Sequence, residues 1–393
     1  MPDPAAAEAD ALAHSERLRA LIAEEIAARG PIPFSRFMEL ALYAPGLGYY
    51  SAGATKFGAA GDFVTAPELG PLFAACVADA LAPVLRALGP GADLVEIGGG
   101  SGAFAEVALK KLMAADALPA RYAILEPSAD LRERQRERLA RRLVPPLFDL
   151  VEWLDGPPEA DWDGVLFANE VLDALPTPRF AIRGGEVFEE HVALDGEGRF
   201  VRADRPADAL LAAAVRHVER QLDAPFAEGY RSELLPQLPY WLQAVVGGLR
   251  RGALLFVDYG YPRREYYLPQ RSDGTLRAFH RHALVADVHA RPGLQDITAS
   301  VDFTALAEAG TGAGFELAGY ATQAGFLIGN GLERNLAEAE ARAADEAARL
   351  RLRQEAKRLT LPSEMGERFQ AMGFERGVNF EAAFLAGDLG WRL

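Results

Sequence analysis

Apolar and polar positions change their period several times along the chain, and each change marks an element. Leu18, Leu21, Ile22 and Ile26 recur at helical spacing, which predicts a helix over 14–29 that Gly30-Pro31 stops. Further helices are predicted over 34–42 and 68–88. The period then shortens. Asp93-Leu-Val-Glu-Ile97 reads as a buried strand, Gly98-Gly-Gly-Ser-Gly102 as a tight turn, and 103–114 as a helix. Tyr122–Leu125 predicts a second strand ending at Glu126, with a highly charged helix over 131–143 behind it. Gly164–Ala168 and Leu254–Val257 are further strands, the latter running into Asp258-Tyr-Gly-Tyr261. Strands alternating with helices predict an α/β fold with a doubly wound, mostly parallel sheet. A ligand of such a sheet lies beyond the carboxyl ends of its strands.

Two stretches interrupt this alternation. Residues 44–67 form a loop rich in Gly and Ala that also carries Tyr49, Tyr50, Phe57 and Phe63. Long loops of this kind are functional or disordered, and the aromatic content favours an ordered lid. Residues 179–200 read as antiparallel hairpins with turns at Arg183-Gly-Gly-Glu186 and Asp195-Gly-Glu-Gly198, and 206–249 as helices. More than one crossover helix therefore separates two neighbouring strands, which predicts an insertion or cap over 179–249. The expected organisation is N-terminal helices and lid over 1–90, a core over 91–178 and 250–330, the cap, and a helix running to about Leu359 with an unpatterned tail over 331–393.

Composition narrows the function. Half of the 393 residues are hydrophobic and a quarter charged, an ordinary globular balance. With 41 basic against 56 acidic residues the formal net charge is −15, which argues against general nucleic-acid binding and favours cationic partners. The alternation of Arg132–Arg142 with Glu133 and Glu137 fits a solvated helix face rather than an RNA patch. No apolar run approaches the roughly 18 residues that span a bilayer, so no membrane insertion is expected. A single cysteine, Cys76, requires no oxidising compartment. With an acidic N-terminus and Arg well in excess of Lys, this predicts a soluble protein of a bacterial cytoplasm.

Candidate chemistry starts at the glycine turn. Residues 98–103 satisfy both G-x-G-x-G and G-x-G-x-x-A, patterns in which glycine lets a ligand approach the backbone at a helix N-terminus. Two readings stand: a tight turn without a ligand, or a nucleotide-type cofactor held by Gly98, Gly100 and Gly102. Glu96, two residues before the turn, would repel a pyrophosphate and attract the cationic end of S-adenosylmethionine, so it disfavours NAD. Glu126 stands where an acid takes a ribose diol; the alternative is a charge at a helix N-terminus.

Several stretches together are specific: GLGYYSAGATKFGAAGDFVTAPELGPLF, LVEIGGGSGAFA, ILEPSADLRERQRERL, NEVLDALPTPRF, LFVDYGY and GTLRAFHRHALVADVHARPGLQDITASVDF. They resemble the MidA-like S-adenosylmethionine-dependent methyltransferases, related to the mitochondrial complex I assembly-factor arginine methyltransferase, from about Gly46 to Phe303. The resemblance implies a class I (Rossmann-like) methyltransferase fold with S-adenosyl-L-methionine as cofactor. It further implies a protein substrate with a target arginine, dimethylated symmetrically, on a respiratory complex I subunit or similar protein. Thr65, Pro67 and Glu68 of the lid motif are implied as neighbours of the cofactor.

Methyl transfer needs alignment and a fitted electrostatic environment rather than a metal, and no metal is expected. A guanidinium acceptor needs carboxylates to hold it. Asn169, Glu170 and Asp173, just beyond a predicted strand, meet that need if a helix starts there and puts Glu170 and Asp173 on one face. The alternative is a helix cap and a solvated charge. The Asn-Pro-Pro-Tyr motif and the double-Glu loop of other methyltransferases are both missing. Tyr259 can shield the methyl group or belong to a surface turn. His280, His282, His289, Asp296 and Asp302 match no zinc spacing, and Asp302 suits a helix cap. Two other functions compete: a small-molecule methyltransferase, and an S-adenosylmethionine-binding assembly chaperone without catalysis.

Overall fold

A computed structural model describes residues 4–51, 65–281 and 283–393. The chain divides into two units. One comprises Lys56–Val171, Leu238–Pro262 and Val301–Leu393, and the other Met1–Thr55, Leu172–Gln237 and Arg263–Ser300.

The first unit is built on one sheet. Its strands are β1 (Asp93–Ile97), β2 (Arg121–Leu125), β3 (Val151–Leu154), β4 (Asp161–Asn169), β5 (Gly248–Tyr261), β6 (Glu316–Thr322) and β7 (Phe369–Arg376). They lie in the order β6-β7-β5-β4-β1-β2-β3, and the short strand Val301–Asp302 pairs with the end of β5. β1, β2, β3, β4 and β5 run parallel, whereas β7 runs antiparallel to both β5 and β6. This is the expected doubly wound sheet, with one reversed strand wedged between β5 and β6. Buried β-branched and aromatic residues, such as Val95, Ile124, Phe167 and Phe256, explain why these segments are strands.

Register decides where the site lies. Ile97 of β1 pairs with Leu125 of β2 and Ala168 of β4, and Asn169 pairs with Val257 of β5. Three carboxyl ends are thus level with Val257 inside β5, and the residues that come next at that level, Gly98, Glu126, Glu170 and Asp258, form one rim.

Three segments depart from the sequence-based expectation. The helix predicted over 68–88 is two, Ala66–Leu69 and Leu72–Leu88. Gly70 separates them where an added Cβ would meet Glu355 Oε2 at 2.0 Å, and Glu355 accepts the Leu72 N–H at 2.6 Å. No helix starts at Asn169. β4 is followed by a bend and turn over 170–175, so Glu170 and Asp173 do not share a helix face. The tail beyond Leu359 supplies β7, an interior strand.

The second unit carries antiparallel strands. Ile32–Pro33, Glu186–Leu194, Arg179–Arg183 and Arg231–Glu233 are neighbours in that order, with Phe200–Pro206 also paired to 186–194. Hairpins were expected over 179–200, whereas the strand at 231–233 interrupts a region expected to be helical. A smaller sheet joins Ala283–Val285, Arg277–His280 and Asp296–Thr298. Leu18, Ile22 and Ile26 of the long N-terminal helix pack with Phe34 and Phe37, whereas Leu21, read as part of the same apolar stripe, is exposed. Beneath the sheet Arg179, 1% exposed, donates to Glu190 at 3.0 Å and to Glu233 at 3.1 Å, and both acids are as buried as it is. Among the described residues no helix is long and apolar enough to cross a membrane.

Candidate functional site

The rim of the first unit is assembled from the glycine turn outward. Gly98, Gly100 and Gly102 have φ of 68°, 53° and 80°, the left-handed region that a β-branched residue enters only with strain. A Cβ at Gly98 would meet Val171 Cγ2 at 3.0 Å. The helix Ala103–Ala114 begins here, and no side chain at its N-cap takes up its first N–H groups. A bare helix N-terminus behind a glycine turn suits a carboxylate or hydroxyl-bearing ligand.

Two acids flank the turn. Glu96 is buried and accepts the Tyr122 hydroxyl at 2.7 Å. Burial drives its pKa up, the Tyr122 bond opposes this, and the nearby Glu126 carboxylate adds to it, for a value of about 7. Glu126 is equally buried and accepts the Ser128 N–H at 3.0 Å. Ser128 itself caps the following helix, Ala129–Arg142. Buried acids facing one rim make it a place for a cation or for sugar hydroxyls.

Gln135 ties these parts together, and sequence reasoning did not single it out. Its Nε2 donates to the Gly100 carbonyl at 2.9 Å and to Glu126 at 3.3 Å, while its Oε1 accepts the Trp153 indole N–H at 2.9 Å. Indole only donates, so the amide can face one way. The signal was present: Gln135 sits between Leu131 and Leu139 at i, i+4 spacing on the buried face of its helix. Glu68 reaches the turn from the other side, accepting the Ser101 hydroxyl, and Arg138 donates to Ser101 at 3.0 Å. Thr65 and Pro67 bracket the start of the short helix before Glu68, where Thr65 forms the N-cap without a side-chain bond. The lid expected over 44–67 has residues 52–64, including Phe57 and Phe63, outside the described residues.

Beyond β4 the backbone takes an unusual path. Glu170 has a φ of 53°, a left-handed conformation rare for a non-glycine residue. Its N–H donates to the Val257 carbonyl at 2.9 Å, and the Val171 N–H donates to Asp258 at 3.2 Å. Asn169 donates to Glu170 at 3.2 Å, and its buried Oδ1 has no hydrogen-bond partner among the described residues. A strained carboxylate residue and an unsatisfied acceptor thus stand side by side at the end of β4. β5 continues through Tyr261, so Asp258-Tyr259 is strand rather than surface turn. Tyr259 stands edge-on to Phe369, 5.4 Å between ring centres.

The S-adenosyl-L-methionine-dependent methyltransferase family model matches residues 76–321, which span the turn, both acids and the ends of β4 and β5. The chain belongs to that family. Accordingly this methyltransferase uses S-adenosyl-L-methionine. It is 43% identical to a Burkholderia thailandensis protein whose crystal structure holds S-adenosyl-homocysteine, with a TM-score of 0.90 over 100% of this chain and 99% of the other. The protein arginine methyltransferase NDUFAF7 homolog of Drosophila melanogaster, mitochondrial, is 28% identical, covering 90% of this chain and 84% of the fly protein. Mouse NDUFAF7, also named a mitochondrial protein arginine methyltransferase, is 29% identical over 88% of this chain and 81% of its own length.

In the second unit Asp173 is buried, and its carbonyl accepts the Ala299 N–H at 2.9 Å. Asp296, also buried, accepts the Tyr50 hydroxyl at 2.9 Å. Burial first, and then the charges of Asp296 and Asp173, hold the Tyr50 phenol well above its usual pKa. Asp302, which belongs to the first unit, caps the helix Phe303–Gly312 through the Ala305 N–H at 3.1 Å. His280 bonds the Leu294 carbonyl and His289 packs against Phe34 and Phe37, while His282 lies outside the described residues.

Proposed function

We propose that this methyltransferase modifies an arginine guanidinium of a protein. The left-handed Glu170 beside the unsatisfied Asn169 carries the reading, because strain there is a cost that packing alone does not require. The names of the fly and mouse relatives support it, as does a net charge of −15, which suits a basic partner. Gly98, Gly100 and Gly102 cradle the amino-acid end of the cofactor in this reading, with Glu96 facing its ammonium group. Glu126 takes the ribose diol, and Thr65, Pro67 and Glu68 close the remaining side.

The cofactor supplies a methyl group on a positively charged sulfur, which leaves as a neutral thioether. The protein's own residues hold and align the acceptor. Glu170 accepts N–H bonds from the planar guanidinium, and such charge-assisted bonds are about twice as strong as neutral ones. Asn169 Oδ1 accepts a further N–H, and Tyr259 screens the reacting line from water. Positive charge that moves onto the acceptor nitrogen is offset by Glu170, which takes up the proton released or passes it to solvent.

The test is methyl transfer from labelled S-adenosylmethionine to an arginine peptide, with the product read by mass. Glu170→Gln should lose about 2–4 kcal/mol of transition-state stabilisation, the scale of one preorganised electrostatic partner. That is roughly 30- to 1000-fold in rate. S-adenosylhomocysteine affinity should stay within about threefold, since an interaction made only in the transition state does not alter ligand binding. A fully active Glu170→Gln would refute the clamp. Label on a small molecule instead would favour a small-molecule methyltransferase, and cofactor binding without transfer a chaperone. Fragmentation of a dimethylated product separates the symmetric isomer, which loses monomethylamine, from the asymmetric one, which loses dimethylamine, and incubation with respiratory complex I subunits in place of the peptide tests that partner.

A further inference from the structure

The second unit gathers phenols and carboxylates at one strand, beside its apolar core around Phe34 and Phe37. Tyr43 and Tyr50 stack with ring centres 5.5 Å apart, and both residues are half-buried. Tyr50 donates to Asp296, and Tyr43 donates to the Ala174 carbonyl at 2.9 Å, next to Asp173. Ala299, which follows Thr298 directly, donates to the Asp173 carbonyl. Two buried carboxylates and two stacked phenols are thereby tied to one strand, Asp296–Thr298.

Thr298 is the independent sign of a ligand. It is 1% exposed, and its Oγ1 has no hydrogen-bond partner among the described residues. Side chains at i and i+2 of a strand share a face, so this hydroxyl is on the face from which Asp296 meets Tyr50. Arg277, paired with Thr298 across the ladder, is exposed and makes no ion pair among the described residues. A buried hydroxyl without a partner is costly unless something fills the place.

We infer that Tyr43, Tyr50, Asp173, Asp296 and Thr298 form a subsite for a guanidinium side chain of the protein substrate. This rests on the reading that the substrate is an arginine protein. The match is chemical. A guanidinium has five N–H donors in one plane and no acceptor, which suits two carboxylates and a hydroxyl oxygen, and its flat faces stack on aromatic rings. An ammonium is a compact, strongly hydrated charge with no flat face to stack, so lysine suits the site less well.

Calorimetry with Nα-acetyl-arginine amide, on the full chain saturated with S-adenosylhomocysteine, tests the subsite. Thr298→Val replaces the hydroxyl with an apolar isostere and should leave the melting temperature unchanged or higher, because it removes an unsatisfied group. It should weaken the arginine probe about three- to tenfold, the loss of one hydrogen bond. Asp296→Asn should weaken it more than about tenfold, as removal of a charged partner does. Nα-acetyl-lysine amide should bind less tightly than the arginine probe to the unaltered protein. Unchanged arginine affinity in both variants, or equal affinity for the two probes, would overturn the subsite. Methyl transfer to arginine whose KM and kcat are untouched in both variants would overturn it too, and would leave the proposed function standing. If arginine binds and both variants weaken it while no guanidinium is ever methylated, the proposed function fails and the subsite stands.

Discussion

At the scale of single residues, two buried polar groups set how the rim responds to its surroundings. Glu96 has its pKa raised to about 7 from a usual 4.5. A carboxyl raised in the folded state stabilises the fold fully below the usual value, and that contribution disappears as pH climbs through about 7. Urea midpoints should therefore fall between about pH 4.5 and 7 by an amount that Glu96→Gln removes. An ammonium group facing Glu96 favours the ionised carboxylate, so S-adenosylhomocysteine, held by its amino-acid end, should bind more tightly as pH rises through about 7. A pH-independent affinity in the unaltered protein would place Glu96 away from the ligand. Gln135 acts differently, by holding others in place. Gln135→Leu leaves the Trp153 N–H and Glu126 each short of a partner, at about 1–3 kcal/mol for each buried group so orphaned. S-adenosylhomocysteine affinity should drop about tenfold or more through the displaced Glu126. Calorimetry showing full affinity would mean that Gln135 only packs.

Elements show which parts of this structure a sequence can disclose. β1, the glycine turn and the helix after it were legible because their signals are local: a buried run, residues able to adopt positive φ, then helical spacing. The rim was legible too, since Glu96 and Glu126 are placed by strand ends. The bend after β4 was not. A turn at 170–175 obeys no local preference, and it follows from the Glu170 and Val171 N–H groups finding partners on β5, some 87 residues away in the chain. β7 was hidden for a related reason. Its Gly373 reads as a breaker, yet a Cβ there would meet the Phe384 ring at 2.4 Å, so glycine is what lets that ring pack on the strand. In the antiparallel unit the Arg179 cluster was equally invisible, its partners Glu190 and Glu233 being 11 and 54 residues distant. Arg179→Met takes the shared cation from Glu190, which keeps Arg231 at 3.0 Å, and from Glu233, which keeps the Thr275 N–H at 2.8 Å, and should cost about 3–5 kcal/mol of stability, the usual result of breaking a buried ion pair from one side. Chemical denaturation checks this, and a loss under about 1 kcal/mol would show that water reaches the cluster.

For the molecule as a whole, the order of the chain and the order of the sheet disagree. Each compact unit is stitched from three separate segments, so neither corresponds to a continuous stretch of sequence. The last strand in the chain, β7, does not lie at an edge but pairs on both sides, with β5 and with β6. Ending the chain at Leu361 should therefore give an insoluble product rather than a slightly weakened enzyme, since two strand edges lose their partner together. A soluble, cofactor-binding truncation would show that β6 can close directly onto β5. The same wedge sets a schedule during synthesis. While the ribosome is still adding residues up to 369, β5 waits with one edge bare, and the sheet closes only when Phe369–Arg376 has emerged from the exit tunnel. Between the synthesis of β5 and that of β7 the nascent enzyme is thus an unfinished sheet, a state in which a chaperone that covers strand edges would find its client.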